Sequence, residues 1–559
     1  MLWEILSEEN YQTHKEVIRV LLNNRHISAE ETKEFFATPS PLDLLPSDVG
    51  IDEKKLQKAV SRIEKAIEKK EDVVIFGDYD ADGVCATAVL WEALKDLGLE
   101  ARVFIPDRAK HGYGMSDRSL GSLLENSKPD LIITVDNGIV AHEAVNKIVK
   151  QGIDVIITDH HSPELDVEHP GEFLFPNAHA FVHTTQLCGT TVAWFLARAL
   201  KSKSTERTLD LCGIATISDQ MPLLHANRSF ASFGIKALQT TKRPALVELC
   251  QLANIHQGEI NEKSINFVIG PRINAMGRLS SATDAFHALV SDDPSEIQRL
   301  ASLLHTTNTE RQGLTWEMVD NARLQAKTWE NEHVVILASP DYHEGVIGLI
   351  AGKMVEEYYK PAIVMSIGET FVKASARSVA GVNIVEFIRT VRDDLLEVGG
   401  HPMAAGFGLL PEKVEIVQQK LFALAKSEIS AEMLTPSLTV EVELNPILVT
   451  LEFIQFLEKM APFGNGNVEP VFALRNMKIL QSKVIGREGK HVKLLLRSAN
   501  DLDGETKPLD CLAFGWGERQ DQLLTGMTVD VAGTLGLNVW HGNTSMQMIL
   551  KDAKISENI

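Results

Sequence analysis

The apolar run Val73-Val74-Ile75-Phe76, leading into Gly77-Asp78-Tyr79-Asp80-Ala81-Asp82-Gly83, constrains this chain more than any other stretch. Four consecutive β-branched and aromatic residues suit a strand buried on both faces, the habit of parallel sheets covered by helices. Three aspartates then fall at alternate positions between two glycines, and Ala86 to Leu97 reads as a helix. Strand, tight acidic turn and helix make the opening unit of an α/β domain. Three carboxylates in five residues repel one another unless a cation sits among them. Hard divalent cations take oxygen ligands, so the turn reads as a Mg²⁺ or Mn²⁺ site. Taken alone, it also reads as a solvated acidic turn.

Three more segments repeat the pattern. Asp130-Leu-Ile-Ile-Thr-Val-Asp136 is followed by Asn137-Gly138, and Asp154-Val-Ile-Ile-Thr-Asp159 runs into His160-His161. Leu211-Cys-Gly-Ile-Ala-Thr-Ile-Ser-Asp219 reads as a fourth strand. Helical segments between them make the strands parallel. Ligands of an open parallel sheet bind outside the carboxyl ends of its strands, so all four acidic ends are expected at one edge. A lone histidine is more often a satisfied core residue. An Asp-His-His run beside three other acidic ends outweighs that reading, and the expectation is a binuclear metal centre.

Asp78-Tyr-Asp-Ala-Asp-Gly83, Asp136-Asn-Gly138 and Asp159-His-His161, in this order and spacing, resemble the DHH phosphoesterase superfamily. Within it the chain resembles the RecJ family of single-strand exonucleases over nearly its full length. The resemblance implies an α/β protein: a parallel-sheet DHH catalytic domain, an α/β DHHA1 domain and a C-terminal all-β OB-fold. It implies metal-assisted hydrolysis of single-stranded DNA from 5′ to 3′, releasing 5′-mononucleotides in recombination and repair. Mn²⁺ or Mg²⁺, as two ions, is the expected cofactor. Asp80, Asp136, His160 and Asp219 are the expected ligands, with Asp78 and Asp82 completing the cluster. Asp80, Asp82, Asp136, His160, His161 and Asp219 form the expected catalytic set, His161 contacting the scissile phosphate or orienting the ligands.

At 559 residues the chain has room for three or four domains, and 44% hydrophobic content supplies their cores. No apolar run reaches membrane-spanning length, and MLWEILSEEN has no basic region before an apolar one. Five scattered cysteines form no C-x-x-C pair. That suits a reducing cytoplasm and argues against disulfides and zinc. A net charge of −21 argues against a nucleic-acid coat protein but leaves room for an enzyme with a local basic groove.

Along the chain, residues 1–70 read as a helical lead-in, 71–224 as the DHH domain and 225–261 as a helical connector. Residues 262–430 read as the DHHA1 domain and 431–559 as the OB-fold. In the first domain Arg108 suits a phosphate and Tyr113, flanked by glycines, suits base stacking. An ordinary turn is the alternative, and the family's Pro-x-Arg and Gly-Tyr-Gly tip the reading to function. His111, Gln220 and Ala226 depart from the family pattern. Arg272, Asn274 and Arg278, among glycines, suit phosphate or sugar contacts. Asn308 and Arg311 read as a solvated helix face. By resemblance to the DHHA1 loops, Arg278, Ser375, Arg377 and His401 bind DNA or phosphate, Gly400 letting backbone approach the ligand. Short alternating strands are expected at 438–444, 471–479, 491–496, 529–537 and 546–550. Arg475, Lys478, Lys483, Arg487, Lys490, Lys493 and Arg497 make a basic strip against the single acid Glu488. Trp516 and Trp540 are candidate stacking residues, although buried tryptophans are the stronger reading.

Two other classes stay open at this point. One is a DHH phosphodiesterase of short oligoribonucleotides or cyclic dinucleotides, usually a smaller protein without an OB-like module. The other is a non-catalytic replication scaffold, which the full set of candidate ligands opposes. Expected partners are single-stranded DNA and a single-strand-binding protein or helicase, with no membrane.

Overall fold

The computed structural model describes the chain except residues 10, 109, 113, 126, 167, 168, 170, 330, 502–505, 541, 542 and 557–559, and the side chains of 539 and 540. Tyr113 and the side chain of Trp540 therefore lie outside the described residues.

The first sheet has five parallel strands in the order Arg102–Phe104, Val73–Phe76, Leu131–Val135, Asp154–Asp159 and Ala180–His183. Val73–Phe76 and Leu131–Val135 are buried along their whole length, as runs without polar alternation require. Register pairs Phe76 with Thr134 and Val135 with Thr158, so the chain leaves these strands at one level. Asp78, Asp136 and His160 emerge together at that edge. The following helix, Ala81–Asp96, starts earlier than the apolar pattern suggests, because Asp80 caps it by accepting from the backbone N–H of Asp82 and Gly83, each at 3.0 Å.

The fourth acidic segment is not a strand. Leu209–Ser218 is an α-helix and Asp219 is its C-cap. The helix is buried on nearly every side, against Ala81–Asp96, Gly189–Ala199 and His225–Thr240. It touches the last of these so closely that a Cβ on Gly213 would lie 2.6 Å from the Gly234 Cα. A segment buried all round carries no polar stripe, so its apolar run looks like a parallel strand.

The lead-in is divided between two cores. Leu2–Ile5 is a strand, not helix, pairing in parallel with Ser437–Val440. Val17, Leu21 and Phe35 share a core with Phe453 and Phe472 of the C-terminal module. Leu56, Ile63 and Ala66 instead pack under Val73 and Ile75. Buried Arg25 fastens the first part by a two-oxygen pair with Glu441, at 2.7 and 2.8 Å, and a 2.7 Å bond to Asn467. Arg228 donates to the carbonyls of Phe35, Met460 and Ala461, tying lead-in, first domain and C-terminal joint together.

The second sheet runs Glu397–His401, Ala404–Leu409, Val372–Arg377, Ala362–Ile367 and Val335–Ser339, parallel only between the last two. The 33-residue helix Pro294–Ala326 bridges the sheets, about 50 Å at 1.5 Å per residue. Its early residues, and the segments from Ile265 on, pack in the first core; Val319, Ala322 and Ala326 pack beside the second sheet. The core thus changes hands within this helix, well after the boundary expected at 262.

At the C-terminus, Val471–Ile485, His491–Ser498, Leu509–Ala513, Asn543–Ile555 and Thr528–Trp540 pair in sequence, and the last returns to Val471–Ile485. The result is a closed five-stranded barrel. Leu509–Ala513 escapes the sequence pattern because Leu512 falls on its half-buried face, so apolar and polar residues do not alternate along it. The expected strand at 438–444 splits into Ser437–Val440, paired with the N-terminus, and the two-residue Val442–Glu443.

Candidate metal centre

Seven ionisable side chains meet at the carboxyl edge of the first sheet. Three overlapping groups bring ligand atoms within 4.8 Å of one another: Asp78, Asp80 and Asp136; Asp82, His160 and Asp219; and Asp136, His160 and His161. His160 Nε2 lies 3.3 Å from Asp136 Oδ1, 3.7 Å from Asp219 Oδ2 and 3.8 Å from Asp82 Oδ2. Asp219 joins from the end of a helix, so the expected convergence is reached by a different element.

Each group is held from behind. Asp82 accepts from the N–H of Gly189 (2.7 Å) and Thr190 (2.8 Å), the free amides that open the Gly189–Ala199 helix. A Cβ on Gly189 would lie 2.5 Å from Asp136 Oδ1, so only glycine lets the helix end approach. Asp136 sits at φ +61°, a conformation aspartate adopts more readily than most residues. Asp159, the first residue of the Asp-His-His run, faces inward. Its oxygens accept from the N–H of His160 (2.7 Å) and Ile139 (2.8 Å) and hold His161 Nδ1 at 2.8 Å. Asn137 ties two strand ends by donating to the carbonyls of Val135 (2.9 Å) and Phe76 (3.3 Å).

The electrostatics are those of carboxylates crowded together away from water. Asp78 Oδ1 and Asp136 Oδ1 are buried without a hydrogen-bond partner among the described residues. Burial, reinforced by Asp82, Asp80, Asp78 and Asp219, pushes Asp136 well above the usual carboxylate range. Burial and Asp80 do the same to Asp78, and burial with Asp82 and Asp80 raises Asp219 to about 9. Burial lowers His160, which keeps its imidazole neutral and fit to donate a lone pair. Burial also opposes charge on His161, but its bond to Asp159 and the nearby carboxylates prevail and raise it to about 9. Carboxylate oxygens with one neutral imidazole suit Mn²⁺ or Mg²⁺.

Beside this cluster lies its electrostatic opposite. The Arg108 guanidinium stands 5.5 Å over the Tyr79 ring. Arg278 reaches across to the Gly345 carbonyl at 3.1 Å, and Arg377 donates to Ser375 Oγ at 3.2 Å. Arg311 is fixed by Asn308 Oδ1 at 3.1 and 3.0 Å. Burial, then Arg108, Arg311 and Arg377, bring Arg278 down to about 10. Among the described residues none of these four arginines pairs with a carboxylate. Such a group calls for a polyanion. Asn308 is only 1% exposed and Arg311 half-buried, which corrects the solvated-face reading. Their i, i+3 spacing on the bridging helix was the available signal.

The other predicted residues lie apart from the cluster or serve it indirectly. Asn274 Oδ1 accepts from Ala81 N–H at 2.8 Å, satisfying a free amide where the acidic turn becomes helix. Arg272 is occupied by the Val268 carbonyl (2.8 Å) and His305 (3.3 Å). Gly400, at φ +140°, and exposed His401 form the tip of the Glu397–Leu409 hairpin, with His401 opposite Ala404. His111 accepts from Asp107 N–H at 2.9 Å, and Gln220 donates to Asn266 Oδ1 at 2.8 Å. In the basic strip, Arg475 pairs with Glu443 and Asp530, Lys490 with Glu488 and Lys493 with Asp510. Half-buried Trp516 packs against the barrel core, with Arg519 4.1 Å over its ring.

Residues 72–216 match the DHH family, N-terminal domain; residues 331–427 match the DHHA1 domain; and residues 440–552 match the RecJ OB domain. The single-stranded-DNA-specific exonuclease RecJ of Bacillus subtilis is 36% identical over 518 residues, covering 90% of this chain and 64% of that protein. RecJ of Thermus thermophilus is 31% identical over 526 residues, covering 92% of this chain and 72% of the relative. The chain belongs to the RecJ family. The crystal structure of Thermus thermophilus RecJ with Mn²⁺ matches all of this chain and 80% of that one, with TM-score 0.80 and 27% identity. A second structure of that RecJ, with Mg²⁺, matches at TM-score 0.74 and 26% identity, covering 100% of this chain and 79% of that one. The Thermus thermophilus RecJ thus takes both cations that the donor set here suits. Among the described residues no helix is long and apolar enough to cross a membrane.

Proposed function

We propose that this chain is a divalent-metal-dependent exonuclease that hydrolyses single-stranded DNA from its 5′ end, releasing 5′-mononucleotides in recombination and repair. The observation that carries it is the pairing of a carboxylate–histidine cluster with an arginine cluster across Tyr79. One suits cations and the other suits a terminal phosphate. We assign Asp78, Asp80 and Asp136 to one ion and Asp82, His160 and Asp219 to the other, Asp136 standing within reach of both. When bound, such a pair activates water and offsets charge on the attacking and leaving oxygens.

The chain's own residues do the rest. Asp159 orients His161, whose imidazolium carries positive charge below about pH 9 and faces the phosphate. Arg108, Arg278, Ser375 and Arg377, with Arg311, hold the terminal 5′ phosphate and so set polarity and register. Gly400 and His401 contact the strand from the exposed hairpin tip. Asn274 and Arg272 act as positioning residues, the first through the acidic turn and the second through the segment at Val268. The division of labour follows the cores: a DHH unit that includes the helices up to residue 304, a DHHA1 unit beyond the bridging helix, and the barrel joined to residues 1–36. The protein acts in the cytoplasm, with a single-strand-binding protein or a helicase as partner.

The test is degradation of single strands labelled at either end, with Mn²⁺. Mononucleotides released first from the 5′ end are expected, with loss of activity in Asp80→Ala and Asp136→Ala. Initiation at 3′ ends, or turnover near wild type in either variant, would refute the reading.

A further inference from the structure

We propose that a cleft of about 250 Å³ beside the metal centre is a stacking site for one base of the single strand, with Phe267 as its platform. The inference rests on the functional reading above and adds a binding subsite to it.

Three segments build the cleft: the loop after Asp219, the turn at 262–267 and the joint at 463–469. They are locked together. Gln220 donates to Asn266 Oδ1 at 2.8 Å, and Asn465 donates to the Gln220 carbonyl at 2.7 Å. Leu223 N–H donates to the Asn465 carbonyl at 2.7 Å, and Lys263 pairs with Glu469 at 3.0 Å. The cleft is therefore formed before any ligand arrives.

Phe267 sits in a π-helical turn, Ile265–Ile269, a local distortion found often at functional sites. Phe267 is 70% exposed, more than any other large apolar residue among those described. Val468 across the cleft is 62% exposed and Phe463 half-buried. Amides of Gln220, Asn266 and Asn465 stand among these apolar walls. A nucleobase offers the matching surfaces, a flat π face and an edge of donors and acceptors. The charged lining, Glu262 and Glu469 against Lys263, is net acidic, so it suits a base and not a phosphate. The volume falls below the roughly 300–1,000 Å³ of pockets that take drug-sized ligands, which suits one base.

The position fits the path of a strand. Gln220 directly follows Asp219, and the joint at 463–469 leads into Val471, the first residue of the barrel strand that carries Lys478 and Lys483. Along the chain, the segments that line the cleft thus join the metal cluster to the strand that carries that basic face.

The experiment measures binding of 5′-phosphorylated oligonucleotides by the full chain in EDTA, with one abasic site moved stepwise along the strand. Wild type is expected to lose affinity sharply at one position near the 5′ end. Phe267→Ala should bind the intact strand roughly five- to a hundredfold more weakly, with the dip at that position gone, and Phe267→Trp should restore both. A 2-aminopurine at the same position should be quenched by wild type and not by Phe267→Ala. Equal melting temperatures verify folding, which the ring's exposure favours. An unchanged abasic profile and affinity in Phe267→Ala overturn the proposal while leaving the exonuclease reading intact. Failure of wild type to bind or degrade single strands removes both.

Discussion

Replacing Asp136 by asparagine should abolish hydrolysis and at the same time stabilise the metal-free protein. Asp136 is 2% exposed, its Oδ1 has no hydrogen-bond partner among the described residues, and Asp82, Asp80, Asp78 and Asp219 all raise the cost of charging it. An uncompensated buried charge costs about 3–5 kcal/mol. Taking up a proton relieves part of this, at about 1.4 kcal/mol for each unit between folded pKa and solution pH. The neutral isostere should recover about 2 kcal/mol, or about 4–8 °C in the melting of the unit that carries the first sheet. The pH dependence follows from the raised carboxyls. Asp219, raised from 3.8 to about 9, holds a proton in the fold that the unfolded chain releases above about pH 4. The stability this group contributes to the metal-free protein is thus full below pH 4 and is lost as pH rises towards 9. The gain from Asp136→Asn should be large at pH 8 and small at pH 5. Scanning calorimetry in EDTA at both pH values, repeated with saturating Mn²⁺, is the assay. Mn²⁺ should reverse the order, since ligand at 100 times Kd adds about 2.7 kcal/mol to wild type and little to the variant. A variant that melts below wild type in EDTA at pH 8 refutes the reasoning, because the carboxylates would then be stabilising one another without metal.

Gly189→Ala pushes a methyl to 2.5 Å from Asp136 Oδ1, so Mn²⁺ affinity by calorimetry should fall at least tenfold; unchanged affinity would place the second ion elsewhere. Arg377→Ala should weaken binding of 5′-phosphorylated strands by about 1.5–3 kcal/mol and of 5′-hydroxyl strands far less, as read by competition. In the barrel, Lys483 lies opposite Lys493, whose charge Asp510 already offsets, whereas Lys478 lies directly opposite Arg497, like charges that cost stability unless an anion offsets them. Lys478→Ala with Lys483→Ala should lower the slope of log affinity against log salt by about 1.4 on a long strand, without lowering the melting temperature; an unchanged slope would turn that face towards something other than DNA. Arg25→Ala leaves the buried Glu441 carboxylate unpaired and should cost about 3–5 kcal/mol, seen as early melting of the barrel together with residues 1–36.

Local chemistry made much of the site legible. Asp78, Asp80 and Asp82 could be read because their spacing is itself an electrostatic problem, and His160 because histidine at the end of a buried strand needs a reason. The arginine cluster was half legible. Arg108, Arg278 and Arg377 stood among glycines or in motif-like loops, whereas Arg311 lay in a long polar helix whose burial depends on which lobe its middle crosses. The residues that hold these carboxylates left little trace. Gly189 and Thr190 act through backbone amides, and any residue with an N–H can donate one. Only the 2.5 Å approach to Asp136 requires glycine there, and an approach is a property of the fold.

The helix that carries Asp219 explains why its place beside His160 could be anticipated while its scaffold was not. An apolar run buried on all sides has no preferred period, so strand and helix are equally good accounts of Leu211–Ser218. Both accounts place the first polar residue after the run where the buried element meets solvent. In a parallel sheet that place is the carboxyl edge. Here it is the C-terminal end of a helix packed behind the same sheet, and Asp219 Oδ2 still comes within 3.7 Å of His160. The helical solution has an electrostatic consequence that a strand would lack. The C-terminal carbonyls of a helix carry partial negative charge, which adds to the repulsion on a carboxylate at the cap. Burial, with Asp82 and Asp80, already raises Asp219 to about 9, so a cation bound beside it would have to displace a proton, and the helix end adds to that cost.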